Sequence, residues 1–139
     1  MKVLYTTKAV AYSGREGKVE VKDSPLAFNM THPVPLGGNG KGANPEQLFA
    51  AGYSACFSGA LALAIKNKKA PVKKSEVAVE VSIGTDDEGG FEIAADIVAT
   101  ISGVDQKTAD ELVIDAHGIC PYSKATRGNI EVSVSAVAE

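Results

Sequence analysis

Cysteine, arginine and histidine are scarce in this chain: its 139 residues hold two cysteines, Cys56 and Cys120, two arginines, Arg15 and Arg127, and two histidines, His32 and His117. Two cysteines 64 positions apart form neither a zinc motif nor a CxxC pair, and they are too few for the disulfide framework of a small secreted domain. Cys56, Cys120, His32 and His117 have no metal-ligand spacing, so no metal is expected. No uninterrupted run approaches the ~18 apolar residues of a membrane span, and the opening MKVLYTTKAVAYSG has no apolar core of signal-peptide length. The expectation is a soluble, cytoplasmic protein. A net charge of -3 gives no electrostatic pull toward nucleic acid or anionic lipid. The one basic cluster, Lys66, Lys68, Lys69, Lys73 and Lys74, reads as a solvated helix end and loop.

What is present is ordinary for a globular fold, with 45% hydrophobic and 22% charged residues. The length fits a single domain over 1–139, small enough to need a partner copy to bury its surface well. Short strands are predicted over Val3 to Tyr12, Lys18 to Lys22 and Leu26 to Met30, with Arg15 at the tip of the Ser13–Gly17 turn. The loop HPVPLGGNGKGANP comes next, with glycines and prolines that exclude regular structure. Its GGNGKG is not a Walker loop, because Pro35 stands where the first glycine belongs and Gly42 where Ser or Thr must succeed the lysine.

Asn44-Pro45-Glu46-Gln47 opens a helix, with Asn as the cap, Pro at the first helical position and Gln47 closing a capping box. The helix is predicted to run to about Asn67, with the small residues Gly52, Ala55, Gly59 and Ala62 in a stripe another backbone could approach closely. Period-two alternation predicts an antiparallel hairpin of Ser75 to Gly84 and Phe91 to Ser102. Asp105 or Thr108 caps a second helix with Ala109, Leu112, Val113 and Ala116 inward, ending before Pro121; a last strand covers Ile130 to Val137. This order argues for an α+β fold with antiparallel sheet, the short connections making parallel pairing unexpected. The central helix is too apolar for one small sheet to cover, which implies a second subunit.

Cys56, inside YSACFSGALALAI, is either a small core hydrophobe or a reactive thiol. A mid-helix thiol gets no help from the helix dipole, and burial raises its pKa, so a reactive Cys56 needs an imported cation. Arg15 and Arg127 are the candidates, since a guanidinium stays charged when buried and can hold a thiolate and a carboxylate together. Lowering a thiol from about 8.5 to about 6 takes roughly 3.4 kcal/mol, within reach of one well-placed guanidinium. Glu46 is the candidate carboxylate, but ten residues of helix put it about 15 Å and about 80° from Cys56, so it would reach a thiol only from a partner subunit. It could equally be a carboxylate favoured by the helix N-terminus. His117 and Cys120 are close enough in sequence to touch, yet no oxyanion loop accompanies them for thiol hydrolysis; His117 reads as structural.

NPEQLFAAGYSACF at 44–57 and HGICPYSKATRGN at 117–129 resemble the two cysteine motifs of the organic hydroperoxide resistance (Ohr) branch of the OsmC/Ohr family. SGREGKVE at 13–20 matches as well, and the resemblance covers essentially the whole chain. It implies an intertwined α+β homodimer with long central helices, antiparallel sheets and active sites at the interface. It implies a thiol peroxidase with Cys56 as peroxidatic cysteine, Cys120 as resolving cysteine, and Arg15 oriented by Glu46. Cys56 and Cys120 would close a disulfide, and dihydrolipoamide on a lipoylated protein would reopen it, with no bound cofactor. Tyr53, Phe57 and Tyr122 are expected to line the pocket for an alkyl, aryl or fatty-acid hydroperoxide, core packing being the other reading of each. Pro121 is expected to leave Cys120 at a fraying helix end, free to meet Cys56. The alternatives are an OsmC-type peroxidase of broader range and a redox-sensing or binding protein.

Overall fold

A computed structural model describes residues 1–139, which fall into two compact units, Met1–Leu48 and Phe49–Glu139. The first unit holds a three-stranded antiparallel sheet of β1 (Ala9–Tyr12), β2 (Lys18–Val21) and β3 (Ala27–Asn29), in the order β1-β2-β3. The predicted first strand is shortened to its second half. β2 ends at Val21 and the chain turns at Asp23 (φ 56°), so nothing in the unit lies opposite residues 3–7. Val3, Leu4 and Tyr5 stand exposed there. The glycine-rich loop contains one 3-10 turn, Val34–Leu36, and is tied down by a bridge between Met30 and Ala43.

Helix α1 spans Pro45–Lys68 and runs through the boundary between the units. Its start is the predicted capping box: Gln47 N–H donates to Asn44 Oδ1 at 2.8 Å, and Asn44 N–H donates to Gln47 Oε1 at 3.1 Å. By length and composition α1 could cross a bilayer, with a mean hydropathy of 1.7 over its best window, although Gly and Ser interrupt every apolar run. Tyr53, Phe57, Ala60, Leu61 and Ala64 put one face of it into the core of the second unit. Ala55, Gly59 and Ala62 of the small-residue stripe stay exposed, as does Leu63.

The second unit is a three-stranded sheet, β4 (Lys74–Thr85), β5 (Phe91–Ser102) and β6 (Val132–Ala138), with helices α2 (Gln106–Ile119) and α3 (Pro121–Thr126) between the last two strands. β4 and β5 form the expected hairpin, in register from Lys74 opposite Ser102 to Thr85 opposite Phe91. β6 pairs with β5 in parallel, which corrects the all-antiparallel expectation. The connection through two helices is long enough for a crossover, and the short links elsewhere said nothing about it. Ala95, Ile97, Ala99 and Ile101 of β5 pack with the inward faces of α1 and α2, where Ala109, Leu112, Val113 and Ala116 are buried as predicted. Asp105 is the α2 cap, accepting from Thr108 N–H at 2.8 Å.

Pro121 does more than end α2. It occupies the first position of α3, so Cys120 is at once the last cap of one helix and the first cap of the next. Its ψ of 120° is the extended value favoured by a residue that precedes proline, and its backbone closes both helices, N–H to Ala116 O at 2.9 Å and carbonyl from Lys124 N–H at 3.0 Å.

Candidate functional site

In the first unit, Arg15 rides on a 3-10 turn, Gly14–Glu16, between β1 and β2. The turn needs its glycines: Gly14 has φ 61°, and a Cβ on Gly17 would sit 1.8 Å from the Tyr12 carbonyl oxygen. Arg15 makes a two-pronged contact with Glu46 in the first turn of α1, Nη2 to Oε1 at 2.7 Å and Nη1 to Oε2 at 3.1 Å. Forked geometry of this kind fixes the plane of the guanidinium as well as its charge. The Glu46 side chain is only 13% exposed, and the Arg15 hydrogen bond holds its carboxyl below the usual carboxylate range against the opposing effect of burial. Glu16, on the same turn, accepts from His32 N–H at 3.0 Å and so ties the start of the glycine-rich loop to the arginine turn.

In the second unit, Cys56 on α1 and Cys120 at the α2–α3 junction are both free thiols, with the Cys120 thiol donating to Cys56 Sγ at 3.5 Å. Cys56 is half-buried, and Cys120 is 0% exposed. Burial pushes the Cys56 thiol up from its usual pKa; the Tyr122 backbone N–H pulls it down, and the neighbouring Cys120 thiol adds to the rise. Cys120 is therefore no fraying helix end. It is held in the core by helices on both sides.

The predicted pocket residues divide. Tyr53 and Phe57 are fully buried in the core cluster, which is the packing role given as their other reading. Tyr122 remains 40% exposed and lies over α1 with its hydroxyl where a Cβ on Gly52 would come within 3.1 Å, so glycine at 52 makes room for the ring. Phe49, unmarked by sequence, completes an aromatic group: its ring meets Tyr53 edge-on at 5.8 Å and Tyr122 at 6.4 Å. Sequence reasoning also passed over Ser123 and Thr126, both buried, which bond the Tyr53 hydroxyl at 3.0 and 3.1 Å. Arg127, the other candidate cation, donates to the His117 carbonyl at 2.7 Å at the end of α2. His117 Nδ1 is buried without a partner, and burial, with Arg127 secondarily, lowers its pKa. No three His, Cys, Asp or Glu side chains converge as metal ligands would.

The chain can therefore hold a carboxylate-locked guanidinium and, separately, two thiols in contact. Residues 38–135 match the family described as OsmC-like protein. The chain is 46% identical to the organic hydroperoxide resistance protein of Xanthomonas axonopodis pv. citri over 138 residues, covering 96% of this chain and 95% of that one. It is 43% identical over 132 residues to the organic hydroperoxide resistance protein OhrB of Bacillus subtilis, covering 94% and 96%. The crystal structure of an organic hydroperoxide resistance protein from Elizabethkingia anophelis, with thiocyanate bound, superposes with a TM-score of 0.95 at 46% identity over 100% of both chains. Sequence and fold agree over nearly the full length, and the chain belongs to the OsmC/Ohr family.

Proposed function

We propose that the chain is a cysteine-based peroxidase that reduces organic hydroperoxides to alcohols. The observation that carries this reading is the contact of two free thiols, one half-buried and one sealed in the core, in a chain whose relatives are named for organic hydroperoxide resistance. The Cys56 thiolate attacks the distal oxygen of the peroxide. The O–O bond breaks, the alkoxide leaves and takes up a proton as the alcohol, and Cys56 is left as a sulfenic acid. Cys120 then attacks the Cys56 sulfur; the S–O bond breaks, and the hydroxide leaves as water with the Cys120 proton. The two thiols of dihydrolipoamide on a lipoylated protein reduce the resulting disulfide and become the lipoamide disulfide.

Burial raises the Cys56 pKa, so the reactive thiolate needs a cation. In our reading that cation is Arg15, held in plane by Glu46 and presented by a second copy of the chain in a homodimer with its sites at the interface. Arg15 would then stabilise the thiolate and polarise the peroxide. The exposed Ala55, Gly59, Ala62 and Leu63 on α1, and Val3, Leu4 and Tyr5 before β1, supply apolar surface for that second copy to cover. Tyr122, partly exposed beside the thiols, would meet the organic part of the substrate, and the cytoplasm is the reducing compartment that suits two free cysteines. The test is consumption of cumene hydroperoxide by the purified protein with dihydrolipoamide, alongside Cys56→Ser. Turnover lost in the variant is the expected result. An inert native protein would overturn the reading and leave a redox sensor as its replacement.

A further inference from the structure

The stretch SKATRGN after Cys120 takes no part in the peroxide chemistry, yet two of its polar side chains are buried. Ser123 is 0% and Thr126 6% exposed, and both meet the hydroxyl of Tyr53, itself 0% exposed, on α1. The proton count of this cluster closes on itself. Thr126 Oγ1 gives its proton to the Ser123 carbonyl at 3.2 Å, so Tyr53 donates to Thr126 at 3.1 Å and Ser123 donates to Tyr53 at 3.0 Å. Each of the three hydroxyls donates once, and no water is required. A buried polar network with every member satisfied fixes one arrangement of its elements, because any slip strands hydroxyls away from solvent.

What the network fixes is the seat of Cys120. Ser123 and Thr126 are on α3, whose first cap is Cys120, and Tyr53 is three residues, about one turn, ahead of Cys56 on α1. Anchoring α3 to α1 at Tyr53 thus sets the α2–α3 junction against the turn of α1 that bears Cys56, where the sulfurs stand at 3.5 Å. A second tie, Arg127 to the His117 carbonyl, holds the far end of α3 back onto α2.

We infer that Tyr53, with Ser123 and Thr126, is a positioning device for the resolving thiol: it acts through α3 to hold Cys120 in reach of Cys56, and so governs disulfide closure rather than the attack on peroxide. This rests on the peroxidase reading for its biological use, though the placement of one thiol against the other can be measured without any peroxide.

The experiment compares the native full-length protein, Tyr53→Phe, and the triple variant Tyr53→Phe/Ser123→Ala/Thr126→Ala. The single variant leaves the buried Ser123 hydroxyl without a partner and takes from Thr126 its donor, and it is expected to lose stability; the triple variant removes the partners together and is expected to recover much of it. The first readout is the Cys56–Cys120 redox potential, equilibrated against dithiothreitol and followed by mass spectrometry. Loosening Cys120 lowers its effective concentration at Cys56 by about tenfold, which moves the potential about 30 mV less negative. The second is rapid mixing with cumene hydroperoxide and dimedone, which reads the ratio of disulfide closure to sulfenic acid formation and is expected to fall about tenfold in both variants. Potential and ratio displaced in the triple variant, despite its recovered melting temperature, are the expected result. A native potential and a native ratio in a folded triple variant would overturn the inference. A native protein that gives no sulfenic acid would instead overturn the peroxidase reading, and the potential would still decide the role of Tyr53.

Discussion

Cys56 and Cys120, 64 positions apart in sequence, lie with their sulfurs 3.5 Å apart while both remain free thiols. The pair is asymmetric: Cys56 is half-buried, whereas Cys120 is wholly buried at the joint of two helices. In the proposed reaction this difference favours Cys56 as the thiol that meets an attacking group from solution, with Cys120 3.5 Å away to meet whatever Cys56 becomes.

Replacing Cys120 by serine is therefore expected to leave formation of the Cys56 sulfenic acid intact and abolish its resolution. With one equivalent of hydroperoxide, mass spectrometry should find sulfenic acid trapped by dimedone in place of the intramolecular disulfide, and with excess peroxide sulfinic acid should accumulate. Normal disulfide formation in that variant would refute the assigned roles.

Burial raises the Cys56 pKa, and nothing in its immediate surroundings except the Tyr122 N–H opposes that. If Arg15 of a second copy supplies the missing stabilisation, Arg15→Ala raises the midpoint of the pH profile for iodoacetamide alkylation of Cys56. Glu46→Gln is expected to raise it by less, since it frees the guanidinium to move without removing its charge. Loss of a well-placed guanidinium is expected to shift the midpoint by about one to two units. A superimposable profile for Arg15→Ala would remove Arg15 from the thiol's environment.

Several of these residues could be picked from sequence because local rules govern them. Asn44, Pro45 and Gln47 form a capping box from their spacing alone, Asp105 caps α2 in the same way, and β5 starts and stops where its alternation does. Pro121 was legible only as a stop, because its other role, first residue of α3, depends on residues 122–126 coiling into a new helix. The parallel seat of β6 is a property of the crossover and leaves no trace in the strand's own pattern. Ser123 and Thr126 were equally silent, and Tyr53 was marked only as a pocket or core residue: three hydroxyls with two of them some 70 positions from the third carry no periodicity, and their shared role shows only when α3 lies on α1.

Acid sensitivity should divide into two windows. Glu46 has its carboxyl pKa lowered below 4.5, chiefly by Arg15, so its contribution to stability is full above about pH 4.5 and is lost as the pH falls through the lowered value. His117 has its pKa lowered below 6.5, by burial first and Arg127 second, so the unfolded chain takes up its proton earlier and stability falls as the pH drops below about 6.5. Melting temperatures measured against pH are expected to lose the upper slope in His117→Gln, while Glu46→Gln makes the lower slope shallower without abolishing it, because Asp105 at the α2 cap and Glu20 beside Lys18 are also held below the usual carboxylate range. A lower slope unchanged in Glu46→Gln would mean the carboxylate is not held ionised by its arginine.

Gly59 offers a test of what covers α1. In this chain a Cβ at position 59 would meet nothing within 4 Å, and the same is true of Gly118 on α2. Helix propensity alone makes Gly→Ala favourable at either site by up to about 1 kcal/mol. Gly59, however, belongs to the stripe with Ala55 and Ala62, where a second copy is proposed to pack closely, and an added methyl in such a contact costs about 1–3 kcal/mol. Gly118→Ala controls for propensity. The expected outcome is that Gly59→Ala weakens the dimer about tenfold or more by sedimentation velocity, while Gly118→Ala leaves it unchanged. Each variant should keep the native far-ultraviolet circular dichroism, so that any dissociation belongs to the interface and not to the helix. A Gly59→Ala protein that dimerises as tightly as the native one would mean that the stripe faces water, and that the second subunit, with the arginine it is proposed to bring, approaches by another surface.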